Sequence, residues 1–256
     1  MDTTDLVKEM AQGQYLFLPK AVRKLNQIKK LIQKYVQDEV GFEEVWIPKT
    51  IPEKTIGEDR ANILGIWDQY LLAVNPYGET EGLEETHILD PLQCLALYQA
   101  LENETLESLP LRYFDVSGPT YRNEDISKIE VLVKQREFHR AEFVYIGTPA
   151  QVRETRDGCL GQLVNLCTDL GLEHRVVEGD GCYQENGDIK DIEVYIPQDN
   201  LWLEVAGAAV LYEHLVKAFN ITFPQQELWS GCTGIGLERM LYSVLSYEVD
   251  LDEHSL

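Results

Sequence analysis

The chain has 256 residues, 44% of them hydrophobic and 26% charged, enough for one sizeable domain with a real hydrophobic interior. Its formal net charge is −22, from 44 acidic against 22 basic residues; this weighs against a phosphate-backbone partner, because nucleic-acid affinity comes largely from Lys and Arg neutralising phosphates. No apolar run approaches the roughly 20 residues of a bilayer span, and the opening Met-Asp-Thr-Thr-Asp lacks the basic-then-apolar order of a secretory signal, so a cytoplasmic protein without a membrane partner is expected.

From Pro19 to Val40 apolar residues recur at helical spacing (Val22, Leu25, Ile28, Leu31, Ile32, Tyr35, Val36), and Gly41 stops the pattern. Lys20, Arg23, Lys24, Lys29, Lys30 and Lys34 crowd this helix, either as a solvated face or as a docking patch for an acidic partner. Glu43 to Ile47 reads as a strand closed by Pro48, and residues 91 to 102, opened by Asp90 and Pro91, as a short helix carrying Cys94. Tyr113 to Val116 and Thr120 to Arg122 are extended, and the aromatic-rich Glu137 to Ile146 is a strand. A long helix covers Pro149 to Leu170, ended by Gly171, and strands follow near Arg175 to Glu178, Ile189 to Ile196 and Leu201 to Val205. The run Gly231 to Gly236 reads as a loop that opens a last helix, Leu237 to Tyr247. Strands joined mostly by hairpin-length connections imply an α+β fold with an antiparallel sheet, in one domain spanning residues 1–256. The chain has neither a GxxxxGK[ST] loop nor a Rossmann fingerprint, so any ATP site must be built another way.

Five scattered cysteines, Cys94, Cys159, Cys167, Cys182 and Cys232, are not a disulfide framework; metal binding or burial must account for them. Two segments carry chemistry. In Gly118 to Gly147, Arg122 and Glu124 are two apart and share a strand face. The arginine can fork onto a phosphate, the carboxylate can accept from an amine, and Phe138 on the returning strand can cover a base. Taken alone, the same pair could equally be a cross-strand ion pair on a surface hairpin. In Ser230 to Tyr242, glycines at a helix start permit close backbone approach and favour an anion, with Arg239 in the first turns; a glycine-rich cap on a core helix is the plainer alternative.

Together these residues resemble a known family. The early amphipathic helix with Val45-Trp46-Ile47 and Pro48, then TYRNE…REFHRAEF, then GIGLERM, look like the three motifs of class II aminoacyl-tRNA synthetases, in order. More narrowly, ILDPLQCLALYQAL, YFDVSGPTYR, REFHRAEFVYIGTPAQV, WLEV, KAFNI and WSGCTGIGLERM resemble the atypical, methanogen-type seryl-tRNA synthetase catalytic core and its relatives, the amino acid:[carrier protein] ligases. The resemblance runs from about Gly13 to Tyr247. It implies a class II synthetase-like antiparallel sheet flanked by helices, a homodimer, and a zinc held by Cys94, Glu142 and Cys232. Two thiolates, one carboxylate and an open fourth position describe a substrate-binding zinc. By the same transfer Arg122 contacts the α-phosphate of ATP, Glu124 the nucleotide or activated amino acid, and Phe138 the adenine, while Arg239 binds the γ-phosphate and Glu204 holds Mg²⁺. Asp191 and Glu193 are either further acidic candidates near that magnesium or simply exposed surface acids. Cys159, Cys167 and Cys182 match no family ligand and are expected to pack, and His139 to support the site without ligating.

Three departures bear on function. The sequence begins close to the residues that resemble the catalytic core, so the seryl enzymes' N-terminal tRNA-binding domain is expected to be missing; Gly207 and Ala209 stand where those enzymes carry polar positions; and the loop Asp125 to Gln135 lacks glycine- and arginine-rich character. The expectation is therefore an ATP-dependent ligase that adenylates a small amino acid (Ser, Gly or Ala) and passes it to a carrier-protein phosphopantetheine thiol. A truncated seryl-tRNA synthetase relative acting on tRNA is the alternative. A catalytically silent regulatory paralogue is a third, against which the retained Arg122, Glu124, Glu204, Arg239 and the three zinc ligands argue.

Overall fold

A computed structural model describes residues 3–64, 71–74, 86–179 and 188–254. Two short strands, β1 (Val7–Ala11) and β2 (Gln14–Phe17), pair as a hairpin through a turn in which Gly13 takes φ +74. The chain then enters α1 (Pro19–Ile32), with Pro19 in the first turn, where its missing N–H costs nothing. Ala21, Leu25, Ile28, Leu31 and Ile32 make its buried stripe, while Val22 on the opposite side is 41% exposed. The expected helix continues to Val40, but Gln33–Asp38 winds as a wider π-helical turn before Gly41, at φ +83, ends it.

The expected strand Glu43 to Ile47 shrinks to β3 (Glu43–Glu44). Beyond it the backbone leaves the ladder, and Ile47 N–H turns to the buried carboxylate of Asp115. Next come β4 (Thr50–Pro52), α2 (Gly57–Leu64), β5 (Ala73–Val74), β6 (His87–Leu89) and α3 (Cys94–Ala100). They are followed by β7 (Leu111–Asp115), β8 (Pro119–Tyr121), β9 (Glu137–Gly147) and α4 (Pro149–Asp169), the last opened by a Thr148/Gln151 capping box and closed by Gly171 at φ +66. The remainder is β10 (His174–Glu178), β11 (Asp188–Ile196), β12 (Leu201–Val210), α5 (His214–Ala218), β13 (Trp229–Gly236) and α6 (Leu237–Ser246).

An eight-stranded sheet in the order β10-β11-β12-β13-β9-β7-β3, with β8 added beside β9, forms the centre. Every pairing in it is antiparallel except β3 with β7. Alternation along β9 divides the core: Phe143 and Tyr145 join one cluster with α1, α4 and α6, whereas Val144 and Ile146 join another with α3 and α5. Each such fully buried aliphatic or aromatic side chain stabilises by roughly 1.5–3 kcal/mol. The expected α+β, mostly antiparallel architecture is present. Among the described residues no helix is long and apolar enough to cross a membrane.

One expectation is corrected with consequences for the site. Gly231 to Gly236 is no loop; it lies within β13, paired on both sides by β12 and β9. Glycine is a poor strand former, but here the neighbours' side chains fill the space above it.

Candidate active site

Cross-strand partners on one sheet face share a row. Asp191, Gly207, Gly234 and Glu142 form one row across β11, β12, β13 and β9, and Ile189, Ala209, Cys232 and Val144 form the adjacent paired row. At Gly207 and Gly234 the missing side chains leave a depression, and charged neighbours lean into it. A Cβ at Gly234 would lie 1.8 Å from Arg140 Nη2, and one at Gly207 2.9 Å from Asp191 Oδ1. The result is a cavity of about 360 Å³ walled by Arg122, Glu124, Phe138, Glu204 and Arg239, with Cys232 and Arg140 also lining it.

At this cavity, α3 meets the sheet. Cys94, Glu142 and Cys232 are 0%, 1% and 6% exposed, and their ligand atoms lie within 4.8 Å of one another. Hydrogen bonding to Cys232 and then burial hold the Cys94 thiol well above the ordinary thiol range, with the nearby Cys232 and Glu142 adding to the effect. Burial raises Glu142, and Arg140 opposes that rise. Glu142 Oε2 pairs with Arg140 Nη2 at 2.8 Å but has no aligned hydrogen-bond donor among the described residues. Two thiols and a carboxyl crowded together out of water are the donor set of a soft-tolerant divalent cation such as zinc, with one coordination position left for a small ligand. The residues fit that group.

Several contacts hold this arrangement. Gln93, immediately before Cys94, donates to Asp115 Oδ2 at 2.7 Å and accepts from Thr120 Oγ1 at 3.3 Å. Lys49 pairs with the same Asp115 carboxylate at 2.6 Å. Asp90 Oδ1 accepts from Leu92 N–H at 3.0 Å, tying down the entry to α3. Burial pushes Asp90 up to about 7 from 3.8. A carboxyl whose pKa is raised on folding stabilises fully below its unfolded value and loses that contribution as pH climbs through the folded one. The window is therefore 3.8 to about 7, and the loss is on the order of 4 kcal/mol. Asp90→Asn keeps the capping oxygen and removes the charge. Urea unfolding between about pH 5.5 and pH 8 should show a flatter stability profile for the variant than for wild type; parallel profiles would exclude Asp90 as the titrating group.

The structure brings the sequence-derived set together, though some members are engaged with one another. Arg239 donates to Val133 O at 3.0 Å and to Glu204 O at 2.9 Å, and pairs with the Glu204 carboxylate at 3.2 Å. Arg122 donates to Pro91 O at 3.4 Å and lies 5.6 Å over the Phe138 ring. Glu124 pairs with Lys134 at 3.2 Å. Of the two further acids, Asp191 lines the cavity, whereas Glu193 pairs with Arg175 across β10. His139 stands apart from the cysteine cluster, with its backbone N–H and Nδ1 on Glu238. Cys159 and Cys167 pack in the core on the other sheet face, burial lifting each thiol to about 12; Cys182 falls outside the described residues. Arg140 was missed from sequence. It sits two residues before Glu142 on the same strand face, the spacing that pointed to Arg122 and Glu124.

Residues 77–248 match the model of the tRNA synthetase class II core domain (G, H, P, S and T). The chain belongs to the class II tRNA synthetase core family. Among its relatives are the type-2 serine–tRNA ligases of Methanocaldococcus jannaschii, 28% identical over 98% of this chain and 57% of that protein, and of Methanopyrus kandleri, 27% identical over 94% and 54%. This chain thus spans little more than half the length of these relatives. Its fold superposes with a TM-score of 0.83 on the M. kandleri seryl-tRNA synthetase solved with Aquifex aeolicus tRNASec, at 26% identity over 94% of this chain and 55% of that one. A Giardia lamblia prolyl-tRNA synthetase bound to prolyl-adenylate matches at TM-score 0.83 and 20% identity, covering 96% of this chain and 51% of its own. The likeness to the prolyl enzyme concerns the fold alone. In this class II core, the central sheet face described above is the floor of the candidate active site.

Proposed function

We propose that this chain activates a small amino acid with ATP, forming an aminoacyl-adenylate and pyrophosphate at a metal-assisted site. The observation that carries the proposal is the meeting of Cys94, Glu142 and Cys232 at the edge of a cavity lined by Arg122, Arg140 and Arg239. Cys94, Glu142 and Cys232 would hold a zinc, which would supply an open position for the substrate's amino group after that group releases its proton to solvent. Arg140, which lines the cavity, would hold the amino acid's carboxylate and Arg122 the α-phosphate. The carboxylate oxygen then forms its bond to the α-phosphorus as the bond to pyrophosphate breaks. No base is needed, because the attacking carboxylate is already ionised; the guanidinium groups contribute positioning and charge stabilisation. Phe138 provides a face for the adenine, Glu124 an acceptor for the nucleotide or activated amino acid, and Glu204 a carboxylate for Mg²⁺. Gly207 and Ala209 offer no polar side chain to read a substrate hydroxyl, which supports selection by size among glycine, alanine and serine.

The acceptor is a carrier-protein thiol on this reading, supported by the net charge of −22, which opposes a polyanionic tRNA. A second reading, transfer to tRNA, is supported by relatives named as serine–tRNA ligases. A homodimer formed through the segment around Trp46, 82% exposed, completes the proposal. Amino-acid-dependent ATP–pyrophosphate exchange, scanned over all twenty amino acids, tests it: exchange with a small amino acid is expected, and none with any amino acid by zinc-loaded protein would overturn it. Labelled adenylate offered to total tRNA and to phosphopantetheinylated carrier protein then separates the acceptors.

Arg239→Ala is expected to raise the KM for ATP by about 10–100-fold, the worth of a lost charge-assisted hydrogen bond, with metal content unchanged. Unaltered ATP kinetics would remove Arg239 from the nucleotide site.

A further inference from the structure

Behind the cysteine cluster lie two buried hydroxyls that the reaction does not use. Tyr98 follows Cys94 by one turn of α3 and shares its helix face. Ser230 precedes Cys232 by two residues on β13 and shares its strand face. Both residues are 0% exposed, and neither hydroxyl has an aligned hydrogen-bond partner among the described residues. Ser230 is within hydrogen-bonding reach of the Tyr98 phenol, and both cysteines also act on it after burial itself; the two hydroxyls are out of line, so neither completes a well-formed hydrogen bond with the other. The ring is accounted for by packing, since it stacks on Phe219 at 5.7 Å, and phenylalanine would pack there equally well. The oxygen is what needs a reason, because a buried donor without an acceptor is a cost that native cores avoid.

We propose that Tyr98, backed by Ser230, is the positioning residue of the cysteine site, donating its O–H to a cysteine sulfur once that sulfur is a metal-bound thiolate. A thiol sulfur is only a weak acceptor. On metal binding each thiol releases its proton to solvent and its sulfur becomes a strong acceptor, while Tyr98 keeps its own proton and gains the missing partner. Such outer contacts orient ligands and set how firmly the ion is held. The inference rests on the metal reading above.

Tyr98→Phe and, separately, Ser230→Ala in the full chain test it, with Co²⁺ as a spectroscopic probe and Zn²⁺ competing. For Tyr98→Phe we expect metal affinity to fall about tenfold or more and the sulfur-to-cobalt charge-transfer band to move to lower energy, because a sulfur without its hydrogen bond holds its lone pair less tightly. Ser230→Ala should shift both in the same direction by less. Metal-free Tyr98→Phe should melt no lower than metal-free wild type, since an unpartnered hydroxyl has been removed. An unchanged cobalt spectrum with affinity within about twofold, or equal destabilisation with and without metal, overturns the role of Tyr98 alone. Wild-type protein that takes up no Co²⁺ or Zn²⁺ would overturn the metal site and this inference together.

Discussion

Cys94→Ala and Cys232→Ala are each expected to lose stoichiometric zinc and to lower amino-acid-dependent pyrophosphate exchange by about a thousandfold or more, since each removes one of the three proposed ligands. The metal-free fold should barely notice. Both thiols sit in an apolar cluster as small hydrophobes, and shortening one to a methyl costs about 1 kcal/mol of packing. The contrast decides the matter: a structural role for these cysteines predicts lost stability in metal-free protein, whereas a ligand role predicts lost zinc at nearly constant stability. Elemental analysis beside thermal melts of metal-free samples reads both quantities. Zinc retained at one per chain in the double variant would sink the assignment.

The elements that follow a single local rule were legible from sequence. The helix beginning at Pro19 carries a 3.6-residue apolar stripe, the helix from Pro149 has a capping box and a terminal glycine, and the strand from Glu137 is aromatic and β-branched. Elements set by distant contacts were not. The hairpin β1–β2 and the small sheet β4-β6-β5 are short and bounded by weak turn signals. The final strand was read as a loop because five neighbours of glycine or small polar type between Ser230 and Gly236 imitate a phosphate-cradling turn; the space they leave is filled by Tyr145 on one face and Arg140 on the other. The site shows the same division. Arg122 and Glu124, or Glu238 and Arg239, are local patterns, but nothing in spacing links Cys94, Glu142 and Cys232. Their convergence entered through family resemblance, and the cross-strand register of β9 with β13 and the packing of α3 give it a physical basis. Arg140 could have been found, since Arg-Ala-Glu on a buried central strand places two opposite charges on one face, an arrangement that a core tolerates only where they meet each other or a ligand.

Two glycines three residues apart on β13 should fail in opposite ways when given a methyl group. At Gly231 a Cβ would lie 2.2 Å from Tyr145 Cε2 and 2.4 Å from the backbone oxygen of Ala209. Neither can retreat: the Tyr145 hydroxyl shares its one proton between Ala209 O at 2.9 Å and Cys232 O at 3.2 Å, and Ala209 is held in a central strand. Gly231→Ala should therefore destabilise the fold by about 3 kcal/mol or more, lowering Tm by roughly 6–12 °C. At Gly234 the obstacles are the guanidinium of Arg140 and Glu142 Oε2, at 1.8 Å and 2.9 Å. Both are far ends of side chains and not backbone, and Arg140 lines the open cavity, so the strain is relieved by turning its guanidinium into that space. Gly234→Ala should melt within about 3 °C of wild type, yet bind amino acid at least about a hundredfold more weakly, because Arg140 is driven from its place and Glu142 is pushed off its alignment with the cysteines. Melting curves paired with amino-acid binding by calorimetry separate the two. If Gly234→Ala binds as wild type does, the cavity floor between β9 and β12 is not where the substrate lies; if it unfolds as Gly231→Ala does, Arg140 is locked into the core and cannot serve a ligand.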